Sequence, residues 1–205
     1  MPAFYRLDAP ASAIAEQFGA MARDDPWAGG PIAPGQFAPV LTIGREFVAG
    51  PRQGGQPLRM IPRQWGVPPP PNAGERGSAV LSVRNPDSPF WIGNLRNSEF
   101  RCLVPATALI EWGTTRDADG KRRRHTFACA DQPLFALAGV WKDSEVPSFA
   151  LLTTEPNALY RHAGRDAMPV VLPGDPKAWD VWLKGDWVKA QGLLAPYPSS
   201  AMIET

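Results

Sequence analysis

The 205-residue sequence predicts an α+β domain, mostly antiparallel sheet with a few short helices, and three observations carry that reading. Twenty-four prolines break the chain into short elements joined by rigid loops and exclude a helical bundle. Short runs of strand-type apolar residues recur between Gly-, Pro- and Asp-bearing turns. Helical spacing is confined to brief stretches. With 44% hydrophobic and 20% charged residues, no repeat and no interdomain linker, residues 1–205 read as a single domain with a substantial core.

Taken in order, residues 1–7 read as a strand. Pro10-Ala11-Ser12 introduces a helix, with Ser12 as N-cap and Ile14, Phe18 and Met21 on its apolar face. Residues 24–39, rich in Pro and Gly, read as an extended surface loop. Val40–Ile43, Glu46–Val48 and Leu58–Gly66 follow as strands, and Pro68 to Gly77 as loop, held partly in polyproline II. Ala79–Arg84 is strand, and Asp87–Leu95 a turn entering a short helix. Phe100–Trp112 forms one strong strand running toward a hairpin tip at Asp119-Gly120. Arg124–Ala130, Leu134–Trp141 and Ser148–Thr154 add strands. Lys177–Leu183 is a helix with Trp179, Trp182 and Leu183 on its buried face. Most of the eight tryptophans are expected in the core.

Composition removes several classes of function. A net charge of +1 supplies no global field for nucleic acid, so DNA binding must rest on a local basic surface. Cys102 and Cys129 lack metal-ligand spacing and read as buried free thiols, so neither a metal nor a cofactor is expected. Residues 1–20 lack a signal-peptide pattern, and no run approaches the ~20 apolar residues of a membrane span. The expectation is a cytoplasmic protein without membrane contact, nucleoid-associated when bound to DNA, and monomeric.

Several motifs then narrow the reading: Leu81-Ser82-Val83-Arg84-Asn85, Arg101-Cys102-Leu103-Val104-Pro105 running to Glu111-Trp112, and Leu152-Thr153-Thr154-Glu155-Pro156-Asn157-Ala158 running to Ala167-Met168-Pro169. With Trp65-Gly66 and the chain start, they resemble the SRAP family, SOS response-associated peptidase-like proteins that recognise abasic sites in single-stranded DNA. The resemblance runs from Met1 to about Trp187 and implies the family's barrel-like α+β fold. It also implies an amino-terminal Cys, exposed by removal of Met, whose thiol and amine capture the abasic aldehyde as a thiazolidine. Here that position is Pro2, so the thiazolidine is not expected.

The remaining site positions follow from the same resemblance. The family's Asn falls on Ser82 and its phosphate-binding Arg on Arg84. Alternation along a strand puts both on one face, directed at the site. Ser82 keeps one hydroxyl but loses the reach of an amide. Arg84 suits a phosphate, the plain alternative being a surface salt bridge. Glu111 matches the family's catalytic Glu, and the apolar run Ala108–Trp112 around it raises a carboxyl's pKa toward the range useful for proton transfer. The family's His falls on Gly164; His162, two residues earlier, could replace it only through a loop shift.

Pro2 is itself a candidate nucleophile. Removal of Met1 would expose a secondary amine, which condenses with an aldehyde to an iminium and acidifies the C2′ proton for elimination, with Glu111 as base. A DNA-facing surface would draw on Arg84, Arg59, Arg63 and Trp65, and on Arg122, Arg123 and Arg124 beside Lys121 and His125. The alternatives left open are a catalytically inactive module that binds single-stranded or damaged DNA, and a scaffold that binds a protein partner. Any peptidase activity would be self-removal of Met1.

Overall fold

The computed structural model describes residues 4–22, 26–44, 57–70, 78–116 and 118–204. In chain order it begins with β1 (Phe4–Leu7), α1 (Ala11–Phe18), β2 (Gly30–Ile32), β3 (Phe37–Thr42), β4 (Arg59–Trp65), β5 (Ser82–Val83) and α2 (Ile92–Arg96). The central strands are β6 (Arg101–Ala106), β7 (Ala108–Arg116), β8 (Arg122–Cys129), β9 (Phe135–Lys142) and β10 (Ser148–Thr154). After them come α3 (Ala158–His162), β11 (Met168–Pro169), α4 (Pro176–Lys184), α5 (Trp187–Gln191) and β12 (Met202–Glu204).

Five strands close on themselves. β4 pairs with β3, β3 with β6, β6 with β9 and β9 with β10, all antiparallel, and β10 returns to β4 in parallel, completing a barrel. Its wall is apolar: every residue of β6 is buried, and Leu103, Val104, Leu137, Val140 and Phe149 are wholly so. Short β5 and β11 extend the barrel along β10. A second, five-stranded antiparallel sheet runs β12-β8-β7-β1-β2. The fold is thus mostly strand with few helices, as the sequence predicts.

The chain passes from barrel to sheet at Thr107. Its amide donates to the Arg6 carbonyl at 2.7 Å, and its hydroxyl accepts from the Asp8 amide at 3.0 Å. The stretch Phe100–Trp112 is therefore two strands in two sheets rather than one. The expected loop at 24–39 also holds β2 and the start of β3, because Gly29 and Gly30, at φ 107° and 143°, turn the chain into the sheet edge. The cap of α1 is Pro10 without a side-chain bond, not Ser12. Gly19, at φ 63°, ends that helix before Met21, which is 47% exposed and bridges to Arg59. The strand expected at Glu46–Val48 and the proline run beyond Pro70 lie outside the described residues.

Five tryptophans (Trp65, Trp91, Trp141, Trp179 and Trp182) are buried, and so are the free thiols Cys102 and Cys129. Burial is the main cause that pushes both thiols up, Cys129 to about 12. Helix α3 was not apparent from the sequence. Asn157 starts it by accepting from the Tyr160 amide at 3.0 Å, while its side-chain amide donates to the Tyr197 carbonyl at 2.9 Å. Because Asn157 is buried and carries both bonds, Asn157→Ala is expected to cost roughly 2 kcal/mol in chemical denaturation. A cost below about 0.5 kcal/mol would show that α3 holds its place without this cap.

Candidate functional site

Strand β7 carries Glu111 into the interior. It pairs with β1 on one side, Phe4 opposite Ile110 and Tyr5 opposite Leu109. On the other side it pairs with β8, Leu109 opposite Phe127 and Glu111 opposite His125. Residues directly opposite, and those two apart on one strand, share a face. Tyr5, Leu109, Glu111, His125 and Phe127 therefore line the inner face of the sheet, and all five are buried.

Glu111 is fully buried, and among the described residues neither carboxylate oxygen accepts a hydrogen bond. Its near charge is Arg165, whose Nε lies 3.1 Å from Oε2. Burial pushes the Glu111 carboxyl up to about 7, against the opposing pull of the Arg165 charge. Tyr160 is also fully buried. Its hydroxyl is held well above the usual phenol range by burial and by the nearby Glu111 carboxylate.

Arg165 reaches the site because of how α3 ends. Gly164 is left-handed at φ 73° and its amide returns to Arg161, while the Arg165 amide returns to Tyr160. A Cβ at position 164 would approach Thr114 Oγ1 to 2.4 Å. Glycine is thus required here by both backbone and space, and an imidazole has no room. His162, the last residue of α3, is exposed, and among the described residues no hydrogen bond or ion pair joins it to Glu111. The cation beside Glu111 is Arg165 instead.

Asp166, the next residue, turns to Arg84. The two side chains pair through two hydrogen bonds, 3.0 and 3.2 Å, at the surface, and this pairing holds the Asp166 carboxyl below its usual range. The surface salt bridge open to Arg84 in the sequence is therefore present. The same guanidinium lines a cleft of about 440 Å³ with Thr153, Thr154, Glu155, Asp166 and Gln191. Ser82 is half-buried on β5 opposite Leu151, and no hydrogen bond or ion pair among the described residues joins it to Glu111. Pro2 lies outside the described residues.

The expected DNA-facing set divides. Trp65 is wholly buried, edge-on to Tyr5 and donating to the Leu81 carbonyl, so no face is open to a base. Arg63 is buried with its guanidinium over Trp141, which removes it from a phosphate-contacting role. Alternation places them on the core side of β4. Arg59 is half-buried and donates to the Gly44 carbonyl. Arg122, Arg123 and Arg124 are exposed. Arg124 stands opposite Trp112, which is 40% exposed on the outer face of β7. Arg123 lies 3.9 Å from Glu204. Among the described residues no group of three or more His, Cys, Asp or Glu side chains is arranged for a metal, and no helix is long and apolar enough to cross a membrane.

The fold has close counterparts of known structure. A protein from Bacteroides thetaiotaomicron superposes with TM-score 0.74 at 18% identity, covering 98% of this chain and 90% of that one. A protein from Bordetella bronchiseptica gives 0.73 at 20% identity, over 99% and 98%. A phage-related protein from the same organism gives 0.72 at 17% identity, over 99% and 92%. At these identities the likeness is one of fold. No curated protein matches the sequence significantly. The SOS response associated peptidase (SRAP) family matches residues 1–204, and the chain belongs to that family.

The raised Glu111 carboxyl fixes how stability depends on pH. Below its ordinary 4.5 the group is neutral both folded and unfolded and costs nothing. Between 4.5 and about 7 the unfolded chain ionises first, so stability falls as pH rises; above about 7 the penalty is complete, on the order of 3 kcal/mol. Glu111→Gln should be more stable than the wild type by up to about that much at pH 8 and equal to it at pH 4. Denaturant titrations at the two pH values check this, and a Gln variant less stable at pH 8 would mean that Arg165 outweighs burial.

Proposed function

We propose that this protein is an abasic-site lyase on single-stranded DNA, using the Pro2 amine as nucleophile and Glu111 as base. The carrying observation is the register of β1 on β7. Phe4 lies opposite Ile110, beside Glu111, and Pro2 precedes Phe4 by two residues, a reach of about 7 Å.

The reaction balances within these groups. With Met1 removed, the Pro2 nitrogen adds to C1′ of the ring-opened sugar and water leaves, giving the iminium. Glu111 then takes the C2′ proton, the C3′–O bond breaks and the 3′ phosphate departs as an anion. Water hydrolyses the iminium and restores the amine. A carboxyl pushed up to about 7 by burial is matched to a proton transfer near neutral pH. Pro2 has no thiol, so the adduct is reversible. Substrate contact uses Arg84, whose carboxylate partner Asp166 gives way to a phosphate, together with Trp112 and the exposed Arg122 and Arg124 along the outer face of β7 and β8.

The test mixes the protein with single-stranded abasic DNA, with and without borohydride, after intact mass has established the amino-terminal residue. An adduct trapped only by borohydride, together with strand cleavage, is expected, and both should disappear when the α-amine is blocked by acetylation while DNA affinity stays; Pro2→Ala leaves a primary amine in place of the secondary one. Undiminished cleavage by the acetylated protein, or a protein that retains Met1, contradicts the reading. Binding separates the surface contacts. Arg124→Ala should lower the salt dependence of affinity by roughly one phosphate contact. Trp112→Ala should weaken binding by about 1–3 kcal/mol with the salt slope unchanged. Affinity that neither substitution moves would place the strand on another surface.

A further inference from the structure

A second ionisable group faces Glu111, and the chemistry above does not use it. His125 is buried directly opposite Glu111 across the β7–β8 pair, on the same inner face. Its Nδ1 lies 2.6 Å from Glu204 Oε1. A carboxylate only accepts, so Nδ1 carries the hydrogen, and in the neutral ring Nε2 is then the acceptor. Glu204 reaches it because β12 pairs with β8, Glu204 opposite Phe127, two residues from His125 on the shared face.

Nε2 has a place made for it. A Cβ at Gly113 would come within 2.8 Å of Nε2 and 3.2 Å of the adjoining ring carbon. Gly113 has no positive φ to explain it. What its missing side chain provides is room for the imidazole, two residues from Glu111 on one face of β7. The ring runs parallel to Phe127, with 6.2 Å between centroids, and Phe127 in turn stacks on Tyr160 at 4.3 Å.

We propose that the Glu204–His125 pair is a proton relay for Glu111: Nε2 receives the proton that Glu111 takes from the substrate and returns the carboxylate to its basic form. Glu204 orients the ring and stabilises the imidazolium. The proton passes from substrate carbon to Glu111, from Glu111 through one bridging water to Nε2, and leaves to solvent, with Nδ1–H retained on Glu204 throughout. The other groups facing His125 are Arg123 on its own strand, 3.9 Å from Glu204, and Arg165 and Tyr160 at Glu111. His125 is thus a positioning and relay residue, not one that touches the DNA. The assignment rests on the lyase reading above, and its test separates the two.

The experiment measures strand cleavage per borohydride-trapped adduct in the wild type, His125→Gln, Glu204→Gln and Gly113→Ala. The ratio is expected to fall at least about tenfold in His125→Gln and less in the other two, where the imidazole is only disoriented. With the relay gone, an external base must take the proton, so cleavage by His125→Gln becomes dependent on buffer concentration while wild-type cleavage does not. A merely structural role gives no such dependence. If His125→Gln fails to fold, Gly113→Ala and Glu204→Gln carry the test through the same ratio and buffer dependence. Wild-type ratios without buffer dependence in the folded variants overturn the relay and leave the lyase standing. Absence of adduct and cleavage in the wild type overturns both.

Discussion

Glu111 and Arg165 meet in the interior at 3.1 Å, and much of the molecule serves that contact. The carboxylate is placed by strand pairing on both sides of β7. The guanidinium is placed by the C-terminus of α3, whose glycine turn at 164 aims the next residue inward. The start of α3 is in turn fixed by Asn157, bonded to both its own helix and the C-terminal segment at Tyr197. Burial acts against ionisation of Glu111 and Arg165 acts for it; burial wins, which is why the group is pushed up to about 7 and not held down as in an ordinary ion pair. A carboxyl so poised costs stability at neutral pH, a cost expected where function demands it.

The dipeptide Arg165-Asp166 joins two features that belong to different sheets. Arg165 faces Glu111 under the five-stranded sheet, and Asp166 faces Arg84 at the barrel rim. The exposed pair at Arg84 contributes little to stability, since solvent screens it. Its relevance is positional. A phosphate that displaces Asp166 from Arg84 would act on the residue next to the one paired with Glu111.

How much of this was legible in the sequence depended on distance along the chain. The apolar run Ala108–Trp112 announced a buried carboxylate, and Glu111 is fully buried. The four cations after the hairpin announced an exposed basic edge, and Arg122–Arg124 are exposed. Arg63 and Trp65 were misplaced because a strand inside a closed barrel buries one face, and alternation alone does not say which. Gly164 read as a lost His, whereas its left-handed φ and the nearness of Thr114 show a structural glycine, a feature visible only once Thr114 and α3 are in place. Glu204 and His125 are 79 residues apart and meet through a three-residue strand too short to announce itself. The signal that could have found them is Gly113, a glycine amid strand residues, which marks a close approach.

The most direct measurement is the titration of the Glu111 carboxyl, followed by NMR on protein labelled with ¹³C at glutamate side-chain carbons, with Glu111→Gln to assign the resonance. A midpoint near 7, lower in DNA-free protein than after Arg165→Gln removes the opposing charge, is the predicted result. A midpoint near the ordinary 4.5 would mean that the buried site does not poise Glu111 for proton transfer, and the proposed base would be lost with it.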